Sequence, residues 1–246
     1  MSENGSMGSC VGYLEEMQVE PDPIMETMLI ANRNNREAVG YLKRGMDQLA
    51  LDRLEHATKA ALMLLSDPSK TATPKSREAA SRPMDLETIA LPGSSKMTDS
   101  AFVLRNLFAL EDVFARSNIE LLVAVVVYNL AYILHVRGLS DDLPVWKQTQ
   151  DLQRAVQLYQ VVRKLNQTFS LETPVLEMAV LNNMGQIHYA NQEYQEMNEC
   201  WTKLAVLVSD LPENFGLLDV RSMRLNIHLK DRLDASKQPQ KKQRSA

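Results

Sequence analysis

Residues 181–204 read LNNMGQIHYANQEYQEMNECWTKL, and this stretch decides the fold. A first helix-like run ends at Ala190, a short polar break follows at 191–193, and a second periodic run starts at Tyr194. That pattern predicts two helices joined by a tight turn. Along it runs a ladder of positions: Gly185, His188 three residues on, Gln192 seven on, Met197 twelve on, Trp201 sixteen on and Leu204 nineteen on. A small residue at the head of such a ladder lets two helix backbones approach closely. The large residue at the sixteenth step fills the wedge between them.

The same ladder recurs upstream. In residues 31–64 it reads Ala38, Tyr41, Gly45, Ala50, Leu54 and Ala57. Between these copies, YNLAYILHVRG (128–138) supplies Leu130, Ala131, Leu134 and Gly138, and LQRAVQLYQVV (152–162) supplies Ala155, Tyr159 and Val162. The residues LSDDLPVWKQTQ (139–150) are inserted between those two runs. Self-similarity at a fixed period is the signature of a repeat architecture. Three copies of this ladder resemble the tetratricopeptide repeat, with Met197 in place of the usual Ala and Gln192 in place of the usual Gly. The combination of YNLA, LxxAVxLY and VLNNMGQIHYA is also similar to tetratricopeptide-like proteins of diatoms and related algae, a likeness that carries a fold and no activity.

The expected fold class is therefore all-α, a helical-hairpin repeat of α-solenoid type. Residues 1–22, rich in Gly, Ser and acids, read as a disordered arm, and 23–65 as the first hairpin, broken at Gly45. Residues 66–98, with Pro68, Pro74, Pro83 and Pro92, read as a disordered linker with a short helical turn near 84–90. Asp99 or Ser100 is expected to cap a helix to about Arg116, with Phe102, Leu107, Leu110 and Phe114 on one face. Further helices are expected at 119–137, 147–166, 174–190, 194–209 and 214–232, completing the repeats of 99–232. The last, around Phe215 to Leu229, would cap the open apolar face of the final repeat. Residues 233–246 form a basic tail, and no segment reads as a strand. The most apolar run, LLVAVVVYNLAYIL (121–134), is shorter than the ~20 residues that span a bilayer and contains Asn129. It is expected to be a buried core helix.

The resemblance implies a concave groove lined by the first helix of each hairpin. Carried onto this chain, the lining is Asn32, Asn35 and Lys43, then Tyr128, Tyr132 and His135, then Asn182, Gln186 and Tyr189. Aromatics and amides suit a peptide of limited formal charge, although each tyrosine could instead pack between helices. The branch of the family that clamps a C-terminal carboxylate needs fixed positive charge. The corresponding positions here hold Asn35, Val39, Asn129, Ala179 and Asn183, of which only Asn129 fits, so that specialisation is not expected. Trp146, in the insertion, reads as a staple holding the start of the next helix to the core, with a partner anchor as the alternative. Trp201 reads as core.

Composition limits the remaining classes. A net charge of -4 argues against a nucleic-acid binder built on a basic field. Cys10 and Cys200 make no disulfide framework. The opening Met-Ser-Glu-Asn-Gly-Ser lacks both a basic and an apolar segment of a secretory signal, so a reducing cytoplasmic or nuclear location is expected. His56, His135, His188 and His228 are scattered without metal-binding spacing, and no phosphate-loop glycine pattern occurs. No catalytic residue, metal or cofactor is expected. The basic run at 237–244 is expected to be a solubilising end, with nuclear import and an acidic partner as alternatives. The leading expectation is a non-enzymatic adaptor binding a peptide segment of another protein. The alternatives are a self-associating subunit joined near Phe215 to Leu229, and an enzyme with a spatially assembled site gathering His135 or His188 with carboxylates.

Overall fold

A computed structural model describes residues 22–66, 86–90, 106–110, 119–169, 171, 173–209, 211 and 220–237. The expected arm, most of the expected linker and the basic tail beyond residue 237 lie outside the described residues. Within them the chain is mostly helical. The helices are α1 (Pro23–Lys43), α2 (Asp47–Leu65), α3 (Ile119–Gly138), α4 (Val145–Phe169), α5 (Pro174–Ala190), α6 (Tyr194–Val208) and α7 (Val220–Lys237). Two strands, β1 (Leu86–Ala90) and β2 (Asn106–Leu110), pair antiparallel, with Leu86 opposite Leu110 and Ala90 opposite Asn106.

Local chemistry sets the helix ends. Pro23 and Pro174 begin α1 and α5, where a missing N–H costs nothing. The Asp22 carboxylate accepts from the Ile24 N–H at 3.0 Å and caps α1. The first and third hairpins turn at the same rung of the ladder, and both turns use left-handed backbone: φ is 71° at Gly45 and 63° at Gln192. Only glycine takes that conformation without a steric cost.

Each helix packs on the next in sequence, and α1 also touches α3, α3 touches α5, and α5 touches α7. The first helices of the three hairpins and α7 thus form one row. Small residues permit the closeness within hairpins. An added Cβ on Gly185 would overlap the buried Trp201 indole, and one on Gly138 would meet the Leu152 side chain at 2.6 Å. The apolar helix α3 sits in the middle of the row, with residues 119–135 all buried. It is long and apolar enough by composition to cross a membrane, but its own chain covers 94% of that window.

Ion pairs fasten the hairpins. Asp151, buried on α4, lies 3.5 Å from Arg137 of α3 and 3.2 Å from Lys147. Arg163 of α4 donates to Glu177 of α5 at 2.9 Å. The terminal helix α7 buries Val220, Met223 and Asn226 and packs on α5 and α6, covering the end of the row. It begins at Val220 among the described residues; Phe215 lies outside them.

Two expectations are corrected here. Residues 106–110 are a strand, not part of a helix from 99 to 116, and 86–90 are its partner strand, not a helical turn in a linker. Leu107, Phe108, Ala109 and Leu110 are all buried, so both faces of the strand are covered and the run is continuously apolar. A short run of that kind fits helix and buried strand equally by periodicity. Trp146 is the second correction: it is 69% exposed beside exposed Val145, and staples nothing among the described residues.

The shared turn geometry makes opposite substitutions informative. Gln192→Gly is expected to raise the unfolding free energy by about 0.5–1 kcal/mol, and Gly45→Ala to lower it by about 1 kcal/mol, as read from urea midpoints. Gly185→Ala is expected to cost about 1–3 kcal/mol, because the fully buried Trp201 has no room to yield.

Candidate functional site

The inner face of α1 and α3 holds β2, and it does so by the strand's main chain. Asn129, near the middle of α3, uses its whole carboxamide. Its Oδ1 accepts from the Phe108 N–H at 3.0 Å, and its Nδ2 donates to the Phe108 carbonyl at 2.7 Å and to Asn35 Oδ1 at 2.8 Å. Asn35 of α1 donates to the same Phe108 carbonyl at 3.1 Å. One turn earlier, Asn32 donates to the Leu110 carbonyl at 3.2 Å, and Arg36 reaches that carbonyl through Nε at 3.3 Å and Nη2 at 2.9 Å. Successive residues of a strand present their polar groups to opposite edges. Phe108 and Leu110 therefore offer theirs to the helices, while the other edge pairs with β1.

Side-chain recognition is concentrated at Phe108. Its ring meets Tyr128 edge to face, with centroids 4.9 Å apart, and Tyr128 in turn lies 5.6 Å from Tyr159. Asn183 of α5 donates to both phenol oxygens, at 3.2 Å and 3.3 Å. Burial is the main reason both phenols are held well above the usual tyrosine range, with mutual repulsion adding to it at Tyr128. They stay protonated. His135 bonds Gln186 and lies edge-on to Tyr159. Its complete burial lowers its pKa to about 4, against a smaller opposing effect of the Gln186 bond, so the ring is neutral. Burial likewise pushes the Cys200 thiol up to about 11. Among the described residues no cluster of His, Cys, Asp and Glu could hold a metal ion.

The nine residues expected to line a groove fall in several settings. Asn32 and Asn35 do face the groove, but they are buried beneath β2. Tyr128, Tyr132, His135, Asn182 and Gln186 are buried too. Tyr128 contacts β2, whereas His135 and Gln186 bond one another. Asn182 accepts from Asn226 of α7 at 2.9 Å, so the terminal helix occupies that end of the row. Tyr189 is half-buried against Trp201, at 6.1 Å between centroids, in the interface within the third hairpin. Lys43 is exposed at the end of α1. The chain's own strand β2 and helix α7 lie against part of the expected lining. A carboxamide that must be satisfied wherever it is buried explains the outcome.

Three groups were not visible as site residues from sequence. Asn129 stood out as an amide inside the most apolar run and as the one position that fits a carboxylate clamp, Asn183 only as a position without the charge such a clamp needs, and Arg36 not at all. The signal that could have found Asn129 is an amide in the most apolar run of the chain, which needs a buried polar partner. Comparison with protein families, with curated proteins and with solved structures found no match for this chain.

The neutral buried imidazole has a pH signature. An unfolded His135 takes a proton near pH 6.5 and the folded one near pH 4, so its contribution to stability is complete above 6.5 and is lost as pH falls toward 4. Urea unfolding across that window should show wild type losing about 3 kcal/mol more than His135→Gln. Parallel pH profiles for the two proteins would mean that His135 is solvated or charged in the fold.

Proposed function

We propose that this chain is a non-enzymatic adaptor of tetratricopeptide type that binds an extended segment of another protein on the inner face of α1 and α3. The observation that carries this reading is the two-point grip of Asn129 on the N–H and C=O of one strand residue, extended by Asn35 and Asn32 along the same edge. Amide side chains arranged in this way read main chain, which every extended peptide offers, and leave selectivity to the aromatic contact beside Tyr128. The repeat reading draws support from the recurrent ladder and from the matching left-handed turns at Gly45 and Gln192. The row of first helices is the face on which a repeat protein of this type would present a groove.

Panning of displayed random peptides tests the reading directly. The target is the full chain carrying Phe108→Ala and Leu110→Ala, which weakens the strand already seated there; the control is the same chain with Asn129→Leu added. Extended apolar peptides should be enriched on the first and lose at least about tenfold in affinity on the second, with unchanged helicity by circular dichroism. Peptides retained equally by both proteins would remove this face from the function.

A further inference from the structure

We infer that β2 is an internal ligand of the α1/α3 groove, and that the partner displacing it is an extended segment of the same Leu-Phe-small-Leu chemistry seated more completely on Asn32. The inference rests on the peptide-binding reading above and adds the identity of the competitor and of the recognised pattern. β2 has the attributes of a bound peptide. Both its edges are engaged, one by β1 and one by side-chain amides, and only Phe108 places an aromatic ring against the helices' own aromatic cluster. The helices' contribution to the grip requires an extended backbone, because a helix would spend the same N–H and C=O groups internally.

The seat is also incomplete. At Phe108 one carboxamide serves both main-chain groups. At Leu110, Asn32 donates to the carbonyl, yet among the described residues its Oδ1 is buried with no hydrogen-bond partner. In a strand the N–H of that residue lies on the same edge as its carbonyl. A segment lying closer to α1 would bring its N–H to Asn32 Oδ1 and repeat the two-point pairing seen at Asn129. Leaving a buried acceptor unmet weakens binding by roughly tenfold, which gives an external segment the margin to win.

It needs that margin because the competitor is tethered. A strand joined to α3 through residues 111–118 acts at an effective concentration on the order of 1 mM. A free peptide of identical sequence therefore binds the intact chain only near that concentration, however tight the seat itself is.

A labelled peptide of residues 104–112, LRNLFALED, titrated by fluorescence polarisation into full-length wild type and full-length Phe108→Ala, Leu110→Ala tests this. The variant should bind at least tenfold more tightly, and Asn129→Leu in the variant should abolish the gain. Equal affinity for wild type and variant would overturn the internal ligand while leaving the adaptor reading in place; no binding to either would overturn both. Hydrogen exchange on wild type does not depend on the variant folding. At millimolar peptide the amides of 106–110 in the intact chain should lose protection while those of α1 and α3 keep theirs. Unchanged protection overturns the inference.

Discussion

A carboxamide buried in the middle of an apolar helix has to find partners for one acceptor and two donor protons, and the position of Asn129 makes that requirement the organising constraint of this protein. Helix α3 is enclosed along nearly its whole length, so water cannot supply the bonds. Phe108 and Asn35 supply them. Through this one side chain, α1, α3 and β2 become interdependent: the strand is held extended because Asn129 and Asn35 offer bonds only to an extended backbone, and the two helices are tied because the amides bond each other. An unpaired amide here would cost a few kcal/mol, comparable with a substantial part of a domain's net stability.

The rest of the interior follows a similar logic with different groups. Several polar side chains inside the row are neutral and paired with one another: two protonated phenols share the Asn183 amide, His135 pairs with Gln186, and Asn182 with Asn226, while Asn32 Oδ1 and His135 Nδ1 are buried without a hydrogen-bond partner among the described residues. Ion pairs sit at joints between helices, where Asp151 lies between Arg137 and Lys147 and Glu177 meets Arg163. Close approach within hairpins is set by missing side chains, at Gly138 beneath Leu152 and at Gly185 beneath Trp201. A layer of neutral amides and phenols, with the Arg36 guanidinium at one end, suits a surface that reads main chain, since the amides meet both the N–H and the C=O of a strand. That is the physical basis of the adaptor reading proposed for this chain.

The sequence by itself determined the helices and their turns. The periodic runs place α1, α2, α3, α5 and α6 to within a residue or two, and α4 to within three, because each is bounded by proline, glycine or a polar break that acts locally. The ladder of small and large residues likewise located the close approach at Gly185 and Trp201 and the break at 191–193, since both are consequences of spacing along a hairpin. The side of each first helix that meets β2 was legible in part: Asn32, Asn35 and Tyr128 contact it, because their side of the helix follows from the same period. Only the tertiary structure decided what fills that groove. Residues 107–110 are apolar on both faces and short, so periodicity does not separate strand from helix, and the partner strand lies far enough away in sequence that no local pattern announces it. The roles of Asn129, Tyr189 and Trp146 depended on what stands opposite each side chain, respectively a strand, an indole and solvent, and that is a property of packing between distant segments.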